Sequence, residues 1–263
     1  MDLGISGRVA LVTASSRGLG YAVAEDLARE GVRVAVCSRH RDSAEAAAER
    51  IGAATRGEVF GFAADVTKDA EIRAAVKRVL DRFSALHILV VNAGGPPAAT
   101  FDDLEDADFV RTFDLTLQSA VRLARAAVPH MRAQGWGRIV NIVSTAPKQP
   151  VDGLMLSNSL RAAVLGFAKT LATEIAPHGI TVNSVLPGRI ATDRLRELDV
   201  ARARKTGRTE DEVRRDMEST IPIGRYGRPD EFSAAVAFLC SDTARYITGT
   251  ALQVDGGLTR GLY

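Results

Sequence analysis

Short runs of β-branched and apolar residues alternate with longer amphipathic stretches along the chain, and this alternation restricts the possible folds more than any other feature. Such alternation is typical of successive βαβ units on a parallel sheet. Most runs are apolar throughout, which indicates strands covered by helices on both faces. The sequence therefore predicts a doubly wound, Rossmann-type α/β fold with three αβα layers. Seven strands are predicted at 8–13, 33–38, 58–65, 88–92, 138–144, 181–186 and 252–255.

Amphipathic patterns predict crossover helices, among them 20–30, 70–84 and 120–134. No linker interrupts the alternation, so we expect one domain over residues 1–263. The segment 189–220 breaks the pattern, because it is rich in charged residues and poor in apolar ones. We predict that it forms a mobile, lid-like cover over the site.

Composition excludes several classes of function. Hydrophobic residues make up 46% and charged residues 25%, and the formal net charge is only +2 without a basic stripe, so we expect no nucleic-acid partner. No leader pattern and no long apolar stretch occurs, which predicts a cytoplasmic protein without a membrane partner. Cys37 and Cys240 are predicted to be buried thiols, and the four histidines lack metal-ligand spacing, so no metal site is expected.

A turn of small residues follows the first predicted strand and runs directly into a helix. Small residues at this junction allow backbone N–H groups to approach a diphosphate at the positive end of the helix. Taken alone, such a motif is weak support for a cofactor site. The candidate cofactor-binding residues of the turn are Thr13, Ser15, Ser16, Arg17, Gly18, Leu19 and Gly20.

Further motifs follow the later strands: Asp65-Val66, Asn92-Ala93-Gly94, Ser144, and the run from Pro187 to Thr192. Together with the turn, these motifs resemble the classical short-chain dehydrogenase/reductase family, in its 3-oxoacyl-carrier-protein reductase-like branch. The resemblance covers essentially the whole chain. It implies a homo-oligomer, a tetramer or a dimer, that transfers hydride between a nicotinamide cofactor and the carbonyl or alcohol group of a small-molecule substrate. It also implies that Asp65 and Val66 lie beside the adenine, that Asn92, Ala93 and Gly94 line the cofactor cleft, and that Pro187, Gly188, Ile190 and Thr192 surround the nicotinamide.

Two details of the cofactor site can be argued from side-chain chemistry. The family's turn begins Thr-Gly, whereas Ala14 stands here, and alanine fits best with a negative φ. At the end of the second strand, Ser38 and Arg39 replace the carboxylate that would favour a free ribose 2′-hydroxyl. Arg39, with Arg17 in the turn, can bind a 2′-phosphate, so we predict NADP(H) as the cofactor.

The residues that usually transfer the proton in this family are missing. Ser144 matches the family serine, but the tyrosine and lysine positions, thirteen and seventeen residues later, hold Ser157 and Arg161. Thr116 stands where the family has an active-site asparagine. A serine hydroxyl is far less acidic than a phenol, and guanidinium stays protonated, so Arg161 can hold the cofactor and supply charge but cannot relay a proton.

Three hypotheses follow. The first is an atypical NADP(H)-dependent reductase in which Ser144, Ser157 and Arg161 polarise a carbonyl and water delivers the proton. The second is a catalytically silent dinucleotide-binding or interaction protein. The third is non-redox chemistry in the same cleft with Ser144 or Ser157 as nucleophile, although no histidine stands at a recognisable base position. Among the tyrosines, Tyr226 is the least remote alternative source of a phenol, and packing is its more ordinary role.

Overall fold

Seven parallel strands form one sheet in the computed structural model, which describes residues 2–261. The strand order is β3-β2-β1-β4-β5-β6-β7, which confirms the predicted doubly wound fold. Each strand end lies within two residues of its predicted position. The strands are β1 (Val9–Val12), β2 (Arg33–Ser38), β3 (Val59–Ala63), β4 (Ile88–Val91), β5 (Gly137–Ile142), β6 (Ile180–Pro187) and β7 (Ala251–Val254).

Helices connect the strands, and α1, α3 and α5 confirm the three predicted crossovers. The segment 189–220, predicted only as a cover, contains two amphipathic helices, α7 and α8, whose few apolar side chains include the buried Ala203 and Val213. A π-helical turn, Asp114–Gln118, joins α4 to α5. The helices are α1 (Gly18–Arg29), α2 (Arg41–Thr55), α3 (Asp69–Phe83), α4 (Asp106–Phe113), α5 (Ser119–Gln134), α6 (Met155–Ile175), α7 (Asp193–Thr206), α8 (Glu210–Ser219) and α9 (Pro229–Leu239).

The core lies on both faces of the sheet, because successive residues of a strand point to opposite sides. In β1, Val9 and Leu11 pack into the layer formed with α3, α5 and α6. Ala10 and Val12 pack into the layer formed with α1, α2 and α9. This arrangement explains why the central strands are apolar at every position.

The chain order reverses direction between β1 and β4. From β1 the chain proceeds outward through β2 and β3, then returns to β4 on the other side of β1 and continues to β7. The loops after β1 and β4 therefore diverge and leave a crevice at the carboxyl edge of the sheet. Most of the predicted site residues lie in the loops of this edge or at the start of α1, whereas Ser157 and Arg161 lie on α6.

At the opposite edge, His87 joins the sheet as a neutral side chain. Its Nδ1 accepts a hydrogen bond from the backbone N–H of Val9 at 3.1 Å, and its ring lies 5.9 Å from that of Trp136. Burial lowers the pKa of His87, and the charges of Arg8 and Arg33 lower it further. The folded state therefore favours the uncharged imidazole.

Both cysteines are buried free thiols, as predicted. Burial raises the pKa of each thiol to about 12, so neither is a nucleophile near neutral pH. Within residues 2–261, no helix combines the length and the apolar character needed to cross a bilayer.

Candidate active site

Buried hydroxyl groups hold the turn after β1 in shape. Thr13 Oγ1 donates to the carbonyl oxygen of Asn92 at 2.7 Å and accepts from the Asn92 N–H at 2.9 Å. Ser15 Oγ donates to the Val12 carbonyl at 2.7 Å and accepts from the Cys37 N–H at 3.2 Å. The two side chains thus fasten the turn to the ends of β4 and β2, and they leave the backbone to face a ligand.

Gly20 permits the close approach of this turn to the loop after β4. A Cβ atom at position 20 would lie 2.7 Å from the Ala14 carbonyl oxygen and 2.8 Å from Asn92 Nδ2. Asn92 Nδ2 itself donates to the Ala14 carbonyl at 3.1 Å. Because these are backbone and interlocked groups, only glycine fits at this position.

The N-terminus of α1 is open to an anion. The helix begins at Gly18, Arg17 precedes it in an extended conformation without a side-chain cap, and no acidic residue lies in the first turn. The first N–H groups of a helix have no partner within the helix, and its dipole favours negative charge there. The residues present therefore fit the diphosphate of a dinucleotide.

The expectation for Ala14 is wrong, because its φ is +47°. Anchoring of both neighbouring residues, Thr13 to Asn92 and Ser15 to Val12, forces the chain to turn sharply between them. The left-handed conformation costs a non-glycine residue about 1–2 kcal/mol. The family's glycine would adopt it without that cost, whereas this chain keeps the same turn with strain.

Cationic side chains surround the corner between the turn and the end of β2. Ser38 Oγ donates to the His40 carbonyl at 2.8 Å, and Arg39 extends exposed beyond it. Arg17 is also exposed and lies 3.7 Å from Glu197 of α7. Arg39 therefore offers a guanidinium group to a phosphate at this corner, whereas Arg17 lies beside Glu197 of α7.

Arg50 of α2 belongs to the same corner but was not predicted. Its Nη2 donates to the Ser16 carbonyl at 3.4 Å, and its guanidinium lies 5.1 Å above the ring of Tyr21. In the sequence, Arg50 is one of many charged residues on an amphipathic helix, a pattern typical of a solvated face. Only the packing of α2 against the turn distinguishes it.

Asp65 and Val66 follow β3 at the same edge of the sheet. Partial burial opposes ionisation of Asp65, but hydrogen bonds from the N–H and hydroxyl of Thr67, with the charges of Lys68 and Arg39, lower its pKa below the usual value. Its Oδ1 accepts those hydrogen bonds at 3.0 and 2.8 Å. Asp65 is thus an ionised group that shapes its own loop.

The loop after β6 approaches the turn after β1. Gly188 donates its N–H to the Val254 carbonyl at 3.0 Å, and a Cβ there would lie 2.6 Å from that of Asp255. Thr192 caps α7 by accepting from the Leu195 N–H at 3.3 Å, and its methyl group lies 4.0 Å from the Cβ position of Gly18. In the same loop, Pro187 ends β6 and Ile190 is buried.

Helix α6 brings Arg161 to the end of β5. Its Nη1 donates to the carbonyl oxygens of Val143 and, at 3.4 Å, Ile142. Ser144 follows Val143 in the chain, and its Oγ accepts a hydrogen bond from the Ala146 N–H at 3.1 Å. Ser157 lies one turn before Arg161 on α6 and is buried. Ser157 and Arg161 therefore lie on the same face of α6.

A cavity of about 20 Å³ lies beside Arg161. It is lined by the ends of β4 and β5, including Ala93 and Asn141, and by Thr116 of the π-helical turn. Thr116 Oγ1 donates to the Thr112 carbonyl at 2.7 Å. Among the residues that the structure describes, no tyrosine lines this cavity.

The charge on Arg161 is retained at neutral pH despite its surroundings. Burial lowers the pKa of Arg161, and the nearby charge of Arg194 contributes, so that the value is about 10. Within residues 2–261, the neighbouring charge that acts on this pKa is therefore another cation. Arg161 supplies a fixed positive charge at the end of β5.

Tyr226 serves as a packing residue. It is almost fully buried, and its hydroxyl donates to Asp199 Oδ2 of α7 at 2.9 Å. Burial and this hydrogen bond raise the pKa of Tyr226 to about 12, which makes the phenol a poor acid. Arg189 Nη1 lies 3.4 Å from Asp199 Oδ1 and completes a buried connection between α7 and the loops beneath it.

Comparison with known proteins shows the family to which the chain belongs. A family model described as enoyl-(acyl carrier protein) reductase matches residues 13–259. The 3-oxoacyl-acyl-carrier-protein reductase of Aquifex aeolicus is 33% identical over 98% of this chain and 100% of its own length. That of Vibrio cholerae is 35% identical, over 97% of this chain and 99% of its own. The chain belongs to the short-chain dehydrogenase/reductase family. Within it, the chain falls in the 3-oxoacyl-acyl-carrier-protein reductase-like branch.

Solved structures of short-chain reductases have the same fold. L-Sorbose reductase from Gluconobacter frateurii, complexed with NADPH and L-sorbose, superposes with a TM-score of 0.95 at 35% identity, with all of both chains covered. A variant of actinorhodin polyketide ketoreductase with NADPH gives 0.92 at 33% identity, over 96% of this chain and 97% of that chain. Substrates differ among these short-chain dehydrogenase/reductases, so the fold does not specify one.

Proposed function

We propose that this protein is an NADP(H)-dependent reductase that converts the carbonyl group of a small organic substrate into an alcohol, or catalyses the reverse reaction, with an atypical proton-transfer site. The observation that carries this proposal is the cofactor crevice at the carboxyl edge of the sheet, together with the sequence spacing that predicts Ser157 and Arg161 at the positions of the family's tyrosine and lysine. The crevice supports nucleotide binding, and the proposed replacements would change the proton step.

The choice of NADP(H) rests on the cationic corner at the end of β2. A 2′-phosphate carries negative charge and accepts several hydrogen bonds, which Arg17, Arg39 and Arg50 can donate. The similar solved structures that contain NADPH support the same choice. Titration of NADPH and NADH at equal ionic strength tests it, and tighter binding of NADH would contradict it.

The residues of the chain act on the carbonyl oxygen. The cofactor supplies hydride to the carbonyl carbon. Ser144 Oγ accepts from the Ala146 N–H, so its own hydrogen is free to be donated to the substrate oxygen. Ser157 offers a second hydroxyl, and the fixed charge of Arg161 stabilises the alkoxide. Water then donates the proton that completes the alcohol.

Consumption of NADPH with a panel of ketones, keto esters and quinones tests this function. We expect turnover with at least one class. The double substitution Ser157→Tyr with Arg161→Lys should raise turnover, because it adds a phenol whose acidity a neighbouring ammonium increases. Ser159→Tyr, at an exposed position of the same helix, is the matched control and should not raise it.

Tight NADPH binding without turnover of any carbonyl would refute the reductase. The catalytically silent dinucleotide-binding protein would then be the better description. Non-redox conversion of a substrate in the presence of bound cofactor would instead support Ser144 or Ser157 as a nucleophile.

The same family membership leads us to propose a homo-oligomer, either a tetramer or a dimer. Apolar side chains at the surface of α4, Val110 at 60% and Phe113 at 40% exposure, support an interface there. Light scattering at micromolar concentration tests this, and a monomer would contradict it.

The free, buried cysteines support the proposed cytoplasmic location, because thiols persist in a reducing compartment. We further propose that α7 and α8 cover the site as a lid.

A further inference from the structure

Arg194, in the first turn of α7, reaches across the crevice to the loop after β4. Its Nη2 donates to the Pro96 carbonyl at 3.1 Å, and its Nε lies 3.6 Å from the Cβ position of Gly95. Its side chain is 47% exposed, so part of the guanidinium faces open space. Arg194 therefore lies over the carboxyl edge of β4, on the side of the crevice where Arg161 also lies.

Negative charge around Arg194 is scarce. Glu197 lies 3.5 Å from it, but the same carboxylate also lies 3.7 Å from Arg17. One exposed carboxylate is thus shared between two guanidinium groups. A shared, half-exposed ion pair contributes little energy and can be replaced by a better partner.

Among the residues that the structure describes, no carboxylate forms an ion pair with Arg161. Its Nη1 donates to carbonyl oxygens, which leaves further N–H donors of the planar group without a charged partner. Burial lowers the pKa of Arg161, and Arg194 contributes to the shift as a neighbouring cation. A partly buried cation is stable only with a counter-charge or good hydrogen bonds, and a second cation makes the need greater.

We propose that the missing counter-charge is supplied by the substrate, an oxo acid whose carboxylate binds Arg194 while its keto oxygen faces Ser144 and Arg161. This inference rests on the proposed reductase function and names its substrate class. Guanidinium binds carboxylate through two parallel hydrogen bonds, which would orient the keto group as well as hold it. The cofactor diphosphate has a separate partner in the open N-terminus of α1.

Calorimetry on protein saturated with NADP⁺ tests this without turnover, because the oxidised cofactor cannot reduce a ketone. Pyruvate, 2-oxobutyrate, acetoacetate and levulinate are each compared with their methyl esters at one ionic strength. We expect at least one acid to bind about tenfold tighter than its ester, the ratio typical of one charged hydrogen-bonded contact.

Arg194→Gln should remove this preference and leave NADP⁺ affinity within about twofold. The matched control is Arg196→Gln. Arg196 is 79% exposed on the same helix and pairs with Glu210 at 3.6 Å, so its loss should leave the preference unchanged.

Equal binding of acid and ester throughout the panel would overturn the inference, as would an acid preference that survives in Arg194→Gln. If NADPH still reduces an ester in that case, the proposed reductase stands without the anion site. Conversely, an Arg194-dependent acid preference without NADPH oxidation by any compound supports the anion site and refutes the reductase.

Discussion

The strained alanine in the cofactor turn offers a test in which the sign of the effect is informative. Ala14 has a φ of +47°, and its neighbours are anchored by buried hydrogen bonds, so the turn cannot relax. Ala14→Gly removes a left-handed penalty of about 1–2 kcal/mol. Glycine also gives the unfolded chain more conformational freedom, which stabilises the unfolded state and offsets about 0.4–1 kcal/mol of this gain.

The net expectation is a gain of about 0.5–1 kcal/mol in the free energy of unfolding. For a chain of this size, that gain corresponds to a rise of about 1–3 °C in melting temperature. Urea denaturation measures the change in the free energy of unfolding. Both proteins are compared at one fixed concentration, because association between chains would otherwise shift the denaturation midpoint.

Ala46→Gly is the matched control. Ala46 lies exposed in the interior of α2, where glycine costs about 1 kcal/mol relative to alanine. The same chemical change should therefore stabilise at position 14 and destabilise at position 46. If both substitutions destabilise the protein equally, the left-handed conformation of Ala14 does not carry the assigned strain.

Other predictions concern a histidine, a tyrosine and an arginine. The pKa of His87 is lower in the fold than in the unfolded chain. The stability that neutral His87 contributes is therefore present above the unfolded pKa and is lost as the pH falls. His87→Gln should reduce the loss of unfolding free energy between about pH 7 and pH 5. An unchanged slope of unfolding free energy against pH would count against this. Tyr226→Phe leaves the buried Asp199 without its hydroxyl donor and should lower the free energy of unfolding by about 1–3 kcal/mol, whereas the fully exposed Tyr246 should tolerate the same change. Equal effects at both tyrosines would exclude the inferred role of the hydrogen bond. Arg50→Ala should weaken NADPH binding about three- to fivefold and leave NADH binding unchanged, and an equal loss for both cofactors in a fluorescence titration would show that Arg50 does not act on the 2′-phosphate.

The layered fold follows from local patterns that any reader of the sequence can count. A strand buried on both faces needs apolar residues at every position, and an amphipathic helix needs them at helical spacing. Those periods predicted the seven strands and the confirmed crossovers. Most strand ends shifted by one or two residues, because hydrogen bonding to the neighbouring strand decides where each strand stops. The spacing also predicts Ser157 at the position of the family's phenol, because the apolar pattern of α6 continues without interruption through that position.

Tertiary structure decided what depends on contacts between distant segments. The positive φ of Ala14 arises from bonds that reach to β2 and β4, and no local preference of alanine would predict it. Arg50 appears in the sequence as an ordinary surface cation, and Arg194 is one of several arginines in 189–220 that suit either an anionic substrate or a solvated face. Only packing shows that Arg50 reaches the cofactor turn and that Arg194 spans the crevice. Periodicity specifies which face of an element is buried, but the direction in which a long charged side chain extends depends on the neighbours that the fold brings to it.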